Sequence, residues 1–247
     1  MEFLLNLNWY AVGQIILIDL LLGGDNAILI ALACRNLPEH LRLKGILWGT
    51  AGAIAIRILL IAFAVGLLQI AYLKLVGGVL LLWIGVKLLS DTGSDHGDVP
   101  GNHRLVSTIK TIIVADLVMS IDNVLAVAGA AEQAGANQLA LVVFGILISI
   151  PIVVWGSTLV LKLMDRLPVI ITLGAGLLGY LGGAMIVSDT AIAPWLATQL
   201  PSQAFSVGLF GATLSLPGLI GAIGVVVAGK ILAKRNAGSD GTPPAAQ

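Results

Sequence analysis

Charge is scarce in this chain. Asp, Glu, Lys and Arg make up 11% of its 247 residues, against about 25% in soluble globular domains, while 58% are hydrophobic and the mean hydropathy is +1.02. That shortage excludes a soluble domain of useful size and makes bilayer the solvent. Cysteine is nearly absent too: Cys34 stands alone, which excludes an intrachain disulfide and a thiol metal site. The formal net charge is zero, so no nucleic-acid partner is expected. A P-loop is missing, since GGDN lacks the Gly-Lys-Ser/Thr that holds phosphates. A Ser-His-Asp set and a soluble substrate pocket are missing as well, so no enzyme is expected. Met1 to Asn8 hold no Lys or Arg. The run that follows is too long, and at Asp19 and Asp25 too polar, for a signal-peptide core, so this segment is expected to be retained.

What the chain has instead is long apolar runs. They recur near 11–33, 46–70, 74–90, 110–131, 138–161, 168–187 and 205–231, and their length indicates helices rather than the alternating segments of about ten residues of a barrel. The predicted fold is an all-α polytopic membrane protein with seven transmembrane helices. A single transmembrane domain covers 1–236, with a disordered tail at 237–247. Loop charges orient it. Arg35, Arg42, Lys44, Lys87, Arg104, Lys110, Lys162, Arg166, Lys230, Lys234 and Arg235 fall on one side, with Lys74 on the other and Arg57 inside a span. Cytoplasmic loops carry the excess of Lys and Arg, so the N-terminus is predicted outside and the C-terminus in the cytoplasm of a bacterial inner (plasma) membrane.

The segment IDLLLGGDNAILIALA from Ile18 returns as ADLVMSIDNVLAVAGA from Ala115, with Asp19, Asp25 and Asn26 matching Asp116, Asp122 and Asn123 at an offset of 97. Trp48-Gly49 pairs with Phe144-Gly145, and Ser90-Asp91-Thr92 with Ser188-Asp189-Thr190. Repeat one thus covers 11–92 and repeat two 110–190, with the helix at 205–231 unpaired. Three spans per repeat is an odd number. The halves therefore enter the membrane from opposite sides, the inverted-repeat architecture of transporters.

Each ionisable residue at the centre of a span costs about 2.5–3.5 kcal/mol, so four aspartates carry a nominal penalty on the order of 10 kcal/mol that something must offset. A divalent cation, a shared proton or a cationic side chain would each serve. Asp and Asn oxygens are the hard ligands of Mg²⁺, Ca²⁺ or Mn²⁺, whereas zinc and copper sites draw on His and Cys. The candidate metal ligands are Asp19, Asp25, Asn26, Asp116, Asp122 and Asn123. On a regular helix Asp19 and Asn26 share a face while Asp25 lies about 120° away. The Gly23-Gly24 pair between them predicts a helix break; Ser120-Ile121 in the second copy predicts a more continuous helix, with Ser120 an additional oxygen donor. The alternative is a buried hydrogen-bonded cluster that sets helix register, with Arg57 as counter-ion. Against it, one arginine does not neutralise four carboxylates. Arg57 is also a candidate to pair with an acid in the empty state and release it when a cation binds.

Other features read more simply. Lys87 sits near a span end and is expected to snorkel. His96 and His103 with Asp91, Asp95 and Asp98 read as a solvated linker, with metal capture as the alternative. Glycines at 77, 78, 174, 176, 179, 182 and 183 indicate close helix packing.

With GGDNAILIALA and ADLVMSIDNVLAVAGAA in view, the chain resembles the TerC family of integral membrane proteins over about residues 9 to 232. The resemblance implies metal-ion homeostasis, chiefly manganese export, and a distant relation to the LysE exporter superfamily. It also implies that Asp19, Asp25, Asn26, Asp116, Asp122 and Asn123 bind the ion. The expected function is export of Mn²⁺ as the transported ion by alternating access, with H⁺ as counter-ion and membrane lipid and a divalent metal as partners. The alternatives are a membrane partner supporting metalation of exported enzymes and an exporter of a small cationic solute.

Overall fold

Inside hydrocarbon every backbone N–H and C=O must be satisfied within its own segment, which turns apolar runs into helices. A computed structural model describes residues 24–63, 70–91, 101–132, 138–199, 206–209 and 212–239. Helices α1 (Gly24–Cys34), α2 (Glu39–Ala62), α3 (Leu73–Ser90), α4 (Gly101–Glu132), α5 (Gln138–Arg166), α6 (Val169–Val187) and α7 (Ala193–Gln199) are followed by strands β1 (Ser206–Leu209) and β2 (Ala212–Ser215) and helix α8 (Leu216–Ser239). Five stretches among the described residues are long and apolar enough to cross a membrane: Glu39–Ile61, Leu73–Ser90, Gly145–Arg166, Val169–Val187 and Leu216–Asn236, with Asp25–Cys34 a shorter apolar helix. The protein is multi-pass, and the elements among the described residues are helices apart from one hairpin.

Element boundaries differ from expectation where polarity changes but backbone bonding does not. Residues 101–110, expected in a loop, form the first turns of α4; its 32 residues extend about 48 Å at about 1.5 Å per residue, beyond a hydrocarbon core of about 30 Å. Lys162 to Arg166 likewise stay in α5. The last membrane helix starts at Leu216 rather than 205. Before it β1 and β2 pair antiparallel, Ser206 opposite Ser215 and Leu209 opposite Ala212, as the alternation of Ser and Gly with Val and Leu in SVGL favours. Ser215 then caps α8: its Oγ accepts the Gly218 N–H at 3.3 Å, with Pro217 in the first turn where its fixed φ fits. The expected span before residue 24 and the tail beyond 239 lie outside the described residues.

Helices α3, α6 and α8 pack tightly together, while α2 lies along α4 and α1 along α5. Contacts of α2 with α5 and of α1 with α4 join the two pairs into one four-helix group, and contacts of α3 with α4 and of α1 with α6 join that group to the first three helices. At the α3–α6 crossing a Cβ on Gly78 would fall 2.6 Å from the Gly182 carbonyl oxygen, and one on Gly182 2.7 Å from that of Gly78. Backbone meets backbone there, which only glycine permits. Buried Leu29, Leu32, Ile84, Ile112 and Leu178 belong to one core.

Polar contacts fix which helix ends meet. Arg35 Nη2, just after α1, donates to the carbonyls of Leu88 and Asp91 at the end of α3, and Asn36 Nδ2 donates to the Asp91 carbonyl at 3.1 Å. Arg42 near the start of α2 pairs with Asp165 at the end of α5, Nη1 to Oδ2 at 3.0 Å. At the opposite end of α3, Asp189 after α6 accepts the N–H groups of Tyr72 and Leu75, both at 3.1 Å. Helices α3 and α6 therefore run antiparallel.

Candidate functional site

Arg57 sits on α2 deep in the helix group, 6% exposed, and reaches across to α4. Its Nη2 donates to Asp116 Oδ1 at 2.6 Å and its Nε to Ser120 Oγ at 3.1 Å. The Ser120 hydroxyl in turn donates to Asp116 Oδ2 at 3.2 Å, one helical turn back. The three side chains close a ring in which both carboxylate oxygens are engaged. Asp116 is 3% exposed and Ser120 wholly buried. Such a pair survives burial because charge is matched and hydrogen bonds satisfy its oxygens; removing one partner costs about 3–5 kcal/mol.

Asp25 and Asn26 lie in the first turn of α1. Helix α1 packs against α4, and the charges of Arg57 and Asp116 reach Asp25. Asn26 is 4% exposed. Asp25 Oδ1 and Asn26 Oδ1 are buried and, among the described residues, have no hydrogen-bond partner. An unsatisfied buried acceptor costs about 1–3 kcal/mol. Both are carboxyl or amide oxygens, the hard donor type from which divalent-cation sites are built.

The structure thus brings together Asp25, Asn26 and Asp116 of the sequence-derived ligands. Asp19 and the side chains of Asp122 and Asn123 lie outside the described residues. Among the described residues no group of three His, Cys, Asp or Glu side chains is gathered. Helix α4 runs unbroken through Ser120-Ile121. Gly23 lies outside the described residues, and α1 begins at Gly24. Sequence named Ser120 as an oxygen donor, but its commitment to both Arg57 and Asp116 depends on how α2 and α4 pack.

The linker reading of the His residues divides. His103 is on the first turn of α4, at a cavity of about 260 Å³ that also touches Asn36, Lys87, Asp91 and Arg104, while His96, Asp95 and Asp98 lie outside the described residues. Lys87 is exposed, with Nζ 5.2 Å from the Trp83 ring centroid, as a snorkelling lysine places it. Trp48, Trp83, Trp155 and Trp195 are all exposed, as aromatic side chains at a lipid interface are.

Asp189 was legible in sequence only as a repeat match. It is 1% exposed, and besides Tyr72 and Leu75 it accepts the Ala191 N–H at 2.8 Å. Burial would raise its pKa, but the N–H groups of Ala191, Leu75, Tyr72 and Lys74 outweigh burial and hold the carboxyl below its ordinary 3.8. Tyr72, with a left-handed φ of 65°, precedes α3 in the N-cap position. A carboxylate from another helix supplies what its side chain does not.

Comparison with known proteins agrees with this architecture. Over residues 5–236 the chain matches the Integral membrane protein TerC family. It is 44% identical over 180 residues to the uncharacterized membrane protein YjbE of Bacillus subtilis (strain 168), covering 73% of this chain and 80% of that protein. It is 23% identical over 198 residues to the UPF0053 inner membrane protein YgdQ of Escherichia coli (strain K12), covering 73% and 81%. No solved structure matches the chain significantly. The match takes in both Asp-Asn motifs and every membrane-length helix among the described residues, and the chain belongs to the TerC family of integral membrane proteins.

Proposed function

We propose that this protein carries a hard divalent cation, Mn²⁺ foremost, out across the bacterial inner membrane by alternating access, with protons as the exchanged ion. The observation that carries the reading is the pair of buried oxygens Asp25 Oδ1 and Asn26 Oδ1, without a hydrogen-bond partner among the described residues and within reach of the Asp116 charge. Asp19, Asp122 and Asn123 complete the ligand set by the sequence repeat. Manganese within the hard-cation class rests on the family resemblance.

The packing supports two inverted repeats. Exchanging α1 with α4, α2 with α5 and α3 with α6 turns the α2–α4 contact into α5–α1 and the α3–α4 contact into α6–α1, and all of these contacts exist. Ends that meet, Arg42 with Asp165 and Asp189 with Tyr72, place the start of α2 with the end of α5 and the start of α3 with the end of α6. That is the relation expected of halves inverted about an axis in the membrane plane. The unit is one transmembrane domain, with α8 outside the repeat.

Proteoliposomes holding the purified protein, loaded with a metal-sensitive dye and given a pH gradient, test the reading across Mn²⁺, Mg²⁺, Ca²⁺ and Zn²⁺. Gradient-driven Mn²⁺ flux that falls at least about tenfold in Asp25→Asn is expected, since one carboxylate charge near a divalent ion in a partly buried site exceeds about 1.4 kcal/mol. Absence of flux for every metal, or flux unchanged in Asp25→Asn, would overturn it. Competition by cationic amino acids would point to an organic solute instead.

A further inference from the structure

A fixed positive charge in a cation site works against the substrate unless the site makes use of it. Arg57 is such a charge: it is buried, it holds one Asp116 oxygen itself and it holds the Ser120 hydroxyl that holds the other. The arrangement joins α2 of the first repeat to α4 of the second, and it has no counterpart joining α5 to α1. In the register that pairs Trp48 with Phe144, Arg57 falls on Val153, and in the register that pairs Asp19 with Asp116, Ser120 falls on Gly23. Neither counterpart carries the group. The first motif meanwhile presents Asp25 Oδ1 and Asn26 Oδ1, which no hydrogen-bond donor among the described residues engages.

We propose that Arg57 is a tethered counter-cation, which occupies Asp116 while the site is ion-free and gives it up to the divalent substrate. The proposal rests on the reading of this site as a divalent-cation site. An ion-free cluster of carboxylates in a membrane is unstable unless some positive charge compensates it, and Arg57 supplies that charge without waiting for an ion. A divalent cation arriving at Asp25 and Asn26 meets the guanidinium as a like charge and competes with it for Asp116. Ser120 adds to the competition, because its hydroxyl donates to the other Asp116 oxygen while its Oγ anchors the Arg57 Nε beside the carboxylate. Binding is thereby weakened. A transport site gains from this, since an ion held too tightly does not leave.

The experiment reads Mn²⁺ affinity, by titration of the purified full-length protein, and initial flux in proteoliposomes for wild type, Arg57→Gln, Arg57→Lys and Ser120→Ala. Removing the competitor in Arg57→Gln is expected to tighten Mn²⁺ binding about tenfold while lowering the maximal rate. A residue that merely supports the fold would lower both affinity and rate. Arg57→Lys, which keeps the charge, is expected to bind within about threefold of wild type, and Ser120→Ala, which frees one Asp116 oxygen and loosens the anchor of Arg57 beside it, to bind about two- to fivefold tighter. Arg57→Gln or Ser120→Ala that binds no tighter than wild type overturns the proposal; Ser120→Ala decides it if Arg57→Gln does not fold. Wild type that binds no divalent cation overturns the cation-site reading itself, whereas wild type that binds, with all variants unchanged, overturns only the role of Arg57.

Discussion

Asn26 separates folding from function at the scale of one side chain. Its Oδ1 is buried with no partner among the described residues, and a buried acceptor left unsatisfied costs about 1–3 kcal/mol. Replacing the amide by an apolar side chain of similar volume should relieve that cost. Asn26→Leu is therefore expected to melt at or above the wild-type temperature and to bind Mn²⁺ at least about tenfold more weakly, for loss of a ligand oxygen. A thermal melt and a metal titration on the same preparation check it, and a variant that binds normally would remove Asn26 from the site. The acids and Asn26 could be picked out in the sequence because charge inside an apolar run is rare and must be compensated. Arg57 was visible for the same reason. Its choice of Asp116 was not, because that depends on the register of α2 against α4, which no local pattern encodes.

At the scale of elements, what was legible is what hydrophobic periodicity and length determine. The apolar stretches of α2, α3, α5 and α6 follow from runs that fill a bilayer. The extra turns of α4 and α5 were missed because a helix continues into the polar layer as long as its backbone bonds are made, whatever the side chains. The hairpin before α8 was read as helix because its residues are as apolar as a span; the signal that distinguishes it is Ser215-Leu216-Pro217, an N-cap followed by a first-turn proline. The docking of Asp189 on α3 is likewise a tertiary event, and it carries a pH signature. Its folded pKa lies below the ordinary value, so the stability it contributes is present above the unfolded pKa of about 3.9 and is lost as pH falls through the folded value. Asp189→Ala is expected to lose about 1–3 kcal/mol at neutral pH and to show a shallower drop in melting temperature below about pH 4 than wild type. Parallel acid melts of the two proteins check this, and identical slopes would show that the carboxylate is not what holds α3 to α6.

For the whole molecule, the distribution of loop charges and the pairing of helix ends bear on topology independently. The contacts put the ends of α1, α3 and α5 and the starts of α2 and α4 at one end of the bundle: Arg35 reaches the end of α3, Arg42 pairs with Asp165, and the cavity by His103 joins Asn36, Lys87 and Arg104. The same end holds Arg35, Arg42, Lys87, Arg104 and Arg166, the cationic excess that marks a cytoplasmic face. Helix α8 packs beside α3 and α6 and finishes with Lys230, Lys234 and Arg235. If it crosses from the outer face it brings those charges to the same side. A reporter active only in the cytoplasm is therefore expected to work when fused after residue 236 and to fail when inserted between α4 and α5, at 133–137. Activity at both positions would mean that α5, α6 and α8 do not cross as three spans. Activity only at 133–137 would invert the molecule and make the proposed export an import.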